Sequence, residues 1–307
     1  MLVEVSKEVY RRYFLTDSNP FITEAFISLV EKKCERVIRL MKDDDVSIGL
    51  ILGMKDGIIT SPFSAPFGGF HYSHEHMFYD VVFGFLSNLR DYVAGEDFKK
   101  VLITLPPDPY QVNMNAKFVN AFIRLGFNMA TPDLNNWVDL KKIDGTWCKN
   151  VVEQNCRKAI KNGLAWSIIT DKKSIEDAYS VILRNRKVQC RKIYMTLDDI
   201  LEVNTIIPVD FFAVKDLNGN CVGSSVFYRG HKKIVQCVFM GDDTEKRNMG
   251  IMNLMYKNCF EYYKNMDFDY IDLGISCLEG EPNTGLIRFK ELHNCATSLR
   301  YTFFWSP

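Results

Sequence analysis

The order of elements in this chain is written twice, and that repetition limits the folds open to it. Apolar runs, turn residues and helical periodicity predict a strand pair over 47–61, a helix over 75–93, a strand at 101–105, a helix at 115–125 and a strand at 137–140. The same succession returns as strands over 210–239, a helix over 250–264, a strand at 270–274, a helix at 285–292 and a strand at 298–304. The spacing repeats too: strand to helix runs from 101 to 115 in one half and from 271 to 285 in the other. Such a period lies far beyond the ~20–50 residues of stacked solenoid repeats, so an internally duplicated α/β domain is expected. A polar break from Lys141 to Gly145 sets the boundary, giving domains 1–145 and 146–307.

Further elements fill the pattern. Glu24 to Met41 reads as one helix, with apolar Ala25, Phe26, Leu29, Val30, Val37 and Ile38. Helices are also expected at 153–162, 174–186 and 197–203, and a strand at 166–169. Lys+Arg and Asp+Glu both number 38, so no long-range field draws the chain to nucleic acid. Nine cysteines, an odd number with no Cys-x-x-Cys pair, fit free thiols in a reducing compartment. No stretch approaches the ~18 apolar residues of a membrane span, and a cytoplasmic protein is the simplest expectation.

The chemistry concentrates near the C-terminus. Arg247-Asn248-Met249-Gly250 leads into the helix that begins at Ile251, and a helix start exposes unpaired N–H groups to an anion. The N–H groups of Met249, Gly250 and Ile251, with the charge of Arg247, form the candidate phosphate cradle. Glu279, Glu281 and Asn283 follow the strand at 270–274, where ligands of open α/β sheets gather. One of those carboxylates is placed to take a proton from an attacking amine; a solvated acidic loop is the plainer alternative. Asp242 is a weaker candidate of the same kind. His71, His74 and His76 lie close in sequence but match no zinc spacing, so no metal is expected. Arg157, Lys158, Lys161, Arg184, Arg186, Lys187, Arg191 and Lys192 form basic faces suited to tRNA phosphates or an anionic acceptor, with solvated helix faces as the default.

Three antiparallel strands, Arg-x-x-Gly at a helix start, a strand, a helix and a strand resemble a GNAT acyltransferase domain. Two in tandem are similar to the FemABX-like group, which transfers amino acids from charged tRNA to peptidoglycan peptides. Ser61 to Phe70 (Ser-Pro-Phe-Ser-Ala-Pro-Phe-Gly-Gly-Phe), Asn155 to Gly163 and Gly285 to Lys290 (Gly-Leu-Ile-Arg-Phe-Lys) carry the likeness. The resemblance implies an α/β (α+β) fold of two GNAT-like domains, each a mixed, mostly antiparallel sheet flanked by helices. It also implies that Val238, Phe239 and Met240 lie where a splayed strand meets the donor, their N–H groups facing the developing oxyanion. It gives Lys290 a phosphate or carboxylate to bind, against the plainer reading of a surface lysine. The GNAT loop has a small sixth residue; here it is Met252. The first half has no Arg-x-x-Gly at His71 to Met77 and is read as a degenerate copy that shapes the acceptor cleft. The implied activity moves an acyl or aminoacyl group from acyl-CoA or aminoacyl-tRNA to a primary amine, with no permanently bound cofactor. The alternative is a non-catalytic binding module that kept the fold and lost donor binding, which Met252 would suit.

Overall fold

A computed structural model of the chain describes residues 1–14, 19–43, 46–74, 76–144, 148–278 and 280–307. The chain forms two compact units. One comprises Met1–Leu134, Cys277–Pro282 and Ser298–Pro307; the other comprises Asn135–Ser276 and Asn283–Thr297. The expected single cut at 145/146 thus gives way to interleaved segments, because each sheet takes a strand from the other half of the chain.

In the first unit the strands lie in the order Leu2–Glu4, Arg36–Lys42, Ile48–Lys55, Ile58–Ser61, Lys100–Thr104, Thr302–Trp305, Asn128–Met129, with Phe70–Tyr72 pairing beside Ile48–Lys55. Helices Tyr79–Gly95 and Asp108–Arg124 supply Val82, Phe85, Leu86, Phe118 and Phe122 to its core. Phe70 stacks on Phe118 at 4.2 Å, and Phe122 stacks on Phe303 at 4.6 Å between ring centres. The C-terminal strand therefore completes this core through Phe303, which is fully buried.

The helix expected over 24–41 is half right. It stops at Val30, and Arg36–Lys42 is instead a strand pairing antiparallel with Ile48–Lys55. Val37, Ile38, Leu40 and Met41 suit a strand, and sheet burial decides a pattern that periodicity left ambiguous. Arg39, buried within that strand, reaches Glu24 through two hydrogen bonds of 2.6 and 2.9 Å.

In the second unit the order is Ala296–Arg300, Asp133–Asp139, Tyr270–Ile275, Ile234–Asp242, Cys221–Tyr228, Val209–Lys215, Ala165–Ile169. The strand expected over 298–304 breaks at Tyr301: its first part edges this sheet, and Thr302–Trp305 belongs to the other. Side chains alternate across a strand. Helix Ile251–Asn265 covers the face carrying Gly223, Ser225 and Phe227, where Ser225 Oγ lies 3.2 Å from Met255 Sδ. Helix Lys172–Val188 covers the opposite face, so close that a Cβ on Gly241 would meet Asn185 Cβ at 3.0 Å. Asn150–Lys161 packs on the Ile251–Asn265 helix through Ala159. No helix among the described residues is long and apolar enough to cross a membrane.

Candidate functional site

The second sheet opens in its middle. Ile234–Asp242 pairs in parallel with Tyr270–Ile275 at Ile234↔Tyr270, Val235↔Ile271 and Gln236↔Asp272, and there the pairing stops. On its other side the strand stays antiparallel to Cys221–Tyr228 as far as Gly223↔Asp242. The register shifts between Val226, opposite Phe239, and Phe227, opposite Cys237, so Val238 faces no residue of its own. A bulge of this kind bends the strand and turns its backbone groups. Exposure follows: Ile234–Gln236 are buried, Cys237–Met240 are half-exposed, and Gly241 and Asp242 are buried again. Val238, Phe239 and Met240 thus lie along the parted edge of a central strand.

Charged groups satisfy the backbone where the pairing stops. Lys290 is 2% exposed, and its ammonium donates to the carbonyls of Leu273 and Gly274, both at 3.0 Å. Those carbonyls end the strand that has left its parallel neighbour. The expected surface lysine is therefore a buried one, because a strand that peels away leaves acceptors that need a donor. Asp272, 1% exposed, accepts from Asn135 Nδ2 and the Gly274 N–H at 2.9 Å, and from Gln236 Nε2 at 3.3 Å. Gly274, with φ of 69°, takes a left-handed backbone inside that strand. Cys237, at the fork, has its thiol pushed up to about 12 by burial, with Lys290 and Arg186 pulling the other way.

The loop beyond the strand is tied back on itself. Thr244–Met249 forms a 3₁₀ helix that ends on Gly250 at φ 83°, ψ 21°. A Cβ there would lie 2.4 Å from the Asn155 carbonyl oxygen, so glycine is required by both conformation and packing. Arg247 Nε and Nη2 bind Asp242 Oδ2 and Oδ1 at 3.1 and 3.0 Å. Asn185 Nδ2 adds a third bond to Asp242 Oδ1 at 2.8 Å. Asp242, expected as a weak base candidate, is thus fully occupied. Lys246 pairs with Asp216 at 2.9 Å, and that bond is the main reason the Asp216 carboxyl is held at about 2. The first bond inside the following helix runs from Leu254 N–H to Gly250 C=O, so the N–H groups of Ile251, Met252 and Asn253 precede the ladder. Gly250 and Ile251 are buried, Met249 and Met252 half-exposed, and Arg247 and Asn248 exposed. Met252 leans onto the sheet, its Cε 3.4 Å from where a Cβ of Gly223 would stand.

Glu279 lies outside the described residues. Glu281 is exposed in a two-stranded ladder, opposite Leu278, within the first unit. Asn283 belongs to the second unit, where its side-chain oxygen caps helix Thr284–Leu292 by accepting from Leu286 N–H at 3.0 Å. His71 is buried against Tyr10, its Nδ1 2.8 Å from the phenol oxygen, while His74 and His76 are exposed. Among the described residues no group of three or more His, Cys, Asp or Glu forms a metal site. Sequence reasoning missed Asp272, although an acid inside the apolar run Tyr270-Ile271-Asp272-Leu273 was a legible signal of a buried polar role.

No family profile and no curated protein matches this chain. Solved structures do. FemX has a TM-score of 0.68 at 9% identity, with 100% of this chain and 97% of FemX covered. L-PGS from Bacillus licheniformis gives 0.61 at 10% identity, over 96% and 89%. A tandem GNAT protein from the clavulanic acid biosynthesis pathway gives 0.59 at 12%, over 100% and 98%. The chain has the FemABX-like tandem GNAT fold. In this chain the second unit carries the parted strand pair.

Proposed function

We propose that the second unit transfers an acyl or aminoacyl group from an activated carrier to a primary amine. The observation that carries this reading is the parted strand pair, with Cys237–Met240 half-exposed inside an otherwise buried strand. The donor carbonyl would lie along this edge, where N–H groups of Val238 to Met240 would hold its oxygen as the amine attacks. A tetrahedral oxyanion then forms, and donors aimed at it in a site poor in water stabilise it strongly. The amine attacks directly, loses a proton and expels the carrier, with no covalent enzyme intermediate. Asp242 and Asp272 already accept several bonds each, so that proton leaves to water. Lys290 and Asn283 shape the site rather than react.

The loop favours one carrier. Both of its cations, Lys246 and Arg247, are engaged by Asp216 and Asp242, which leaves a CoA pyrophosphate mainly the N–H groups of Ile251 to Asn253. We therefore favour an aminoacyl-tRNA over an acyl-CoA. Calorimetric titration with CoA, acetyl-CoA and charged tRNA separates the cases. Heat from charged tRNA, followed by transfer to an added amine, supports this choice. Heat from CoA that Arg247→Ala abolishes moves the donor to acyl-CoA. Silence toward all of them overturns the transferase and leaves a binding module.

A further inference from the structure

Helix Lys172–Val188 ends in an unusual way. Cys190 takes a left-handed φ of 53°, its N–H bonds to the Lys187 carbonyl at 3.1 Å, and Arg191 N–H bonds to the Arg186 carbonyl at 2.9 Å. This paired-bond helix stop folds the residue two past the cap back onto the one three before it, and the two are commonly an apolar pair. Here both are arginine. Arg186 and Arg191 are each half-buried, and among the described residues neither has an ion pair. The Arg186 Nε is buried without a hydrogen-bond partner. Burial and the neighbouring Arg191 both lower the Arg186 pKa. A helix C-terminus attracts cations, which accounts for an exposed residue such as Lys187. It does not account for a buried guanidinium nitrogen with no acceptor beside a second guanidinium, an arrangement that asks for an anion.

Its place in the sheet points to what carries that anion. Asn185 fixes this helix end to the strand by donating to the Asp242 carbonyl at 2.9 Å, on the face opposite helix Ile251–Asn265. The same helix end packs against Gly241, the residue next to Met240 on the parted edge. We propose that Arg186 and Arg191 bind an oxyanion, a carboxylate or a phosphate, carried by the amine acceptor, and so set which amines reach the parted strands. That the acceptor carries it rests on the transferase reading; the anion site does not.

The test therefore needs no donor. Inorganic phosphate and acetate are titrated against the full chain at constant ionic strength, with binding read by calorimetry and by the shift in melting temperature. Saturable binding of either anion is expected; preference for phosphate names a phosphorylated acceptor and preference for acetate a carboxylate. Arg186→Gln and Arg191→Gln should each weaken it about tenfold, near the 1.4 kcal/mol of one charge-assisted bond. Arg191→Glu supplies an internal carboxylate, so it should raise the melting temperature and abolish anion binding. Binding no tighter than chloride, or binding that both Gln variants retain, overturns the proposal. If anions bind but no donor does, the acyl-transfer reading fails and the anion site stands.

Discussion

The two units treat the same place in their sheets in opposite ways. In the first, Ile58–Ser61 pairs in parallel with Lys100–Thr104 along its whole length, from Ile58↔Lys100 to Ser61↔Ile103. The following loop then seals the end: Gly68 N–H bonds to the Thr104 carbonyl at 2.9 Å, and Asn19 Nδ2 holds the Gly68 carbonyl at 2.7 Å. Gly68 lies so close that a Cβ on it would touch Ser61 Oγ at 2.5 Å. In the second unit pairing ends at Gln236↔Asp272, and the carbonyls of Leu273 and Gly274 go to the Lys290 ammonium. Backbone closes one fork, and a single side chain satisfies the other while leaving it parted. Strand ends need hydrogen-bond partners whichever way they are met, and the choice of partner separates a scaffold from a site.

Several substitutions and a pH titration strain that contrast, beginning with the largest expected effect. Val238→Pro removes an N–H at the one bulge position that faces no partner residue, so little of the ladder is lost. Transfer should fall about 100- to 1000-fold, the usual loss of one oxyanion donor, with modest change in the melting temperature. Unchanged turnover would detach the bulge from the chemistry. Lys290→Met strands two buried carbonyls and should lower unfolding stability by about 2–4 kcal/mol in denaturant titrations, with transfer lost as well. The matching change in the first unit, Asn19→Ala, should lower stability by about 1–2 kcal/mol and leave transfer intact.

Gly250→Ala meets both a left-handed backbone and the Asn155 carbonyl, for a loss of about 2 kcal/mol. Gly126→Ala in the first unit shares the φ but has open space around it, and about 1 kcal/mol is expected from the same melts. The buried histidines add a pH dependence. Burial lowers His71 to about 3 and His293 to about 4. The unfolded chain protonates both near 6.5, so their contribution is complete above that pH. It is lost as pH falls, by about 1.4 kcal/mol per unit for each ring, until about 4 for His293 and about 3 for His71. His71→Phe should flatten the slope of stability against pH below 6.5 by one proton.

Much of the fold was legible because its order of elements is local information. Gly250 was marked by helix periodicity starting behind it, and Asn283 by the helix that follows. The strand at Arg36–Lys42 was hidden because Val37, Ile38, Leu40 and Met41 fit either period, and only pairing with Ile48–Lys55 decides. The break at Tyr301 was hidden because nothing local tells a strand which sheet will take each end. The strand that carries Val238 to Met240 was legible as an apolar run, whereas the internal ion pairs of Lys246 and Arg247 depend on Asp216 and Asp242 being brought near. Lys290 looked like a surface residue because its acceptors, two carbonyls of a departing strand, have no signature in sequence.

An activated carbonyl is expected to enter the second unit's fork. Backbone amide chemical shifts report it most directly, measured while acetyl-CoA and a hydrolysis-resistant aminoacyl-adenosine are titrated in turn. The amides of Val238, Phe239 and Met240 should move with one of these donors, while Gly68 and Gly69 in the sealed fork stay still. Shifts confined to the first unit, or none at Val238 to Met240 with either donor, would contradict it.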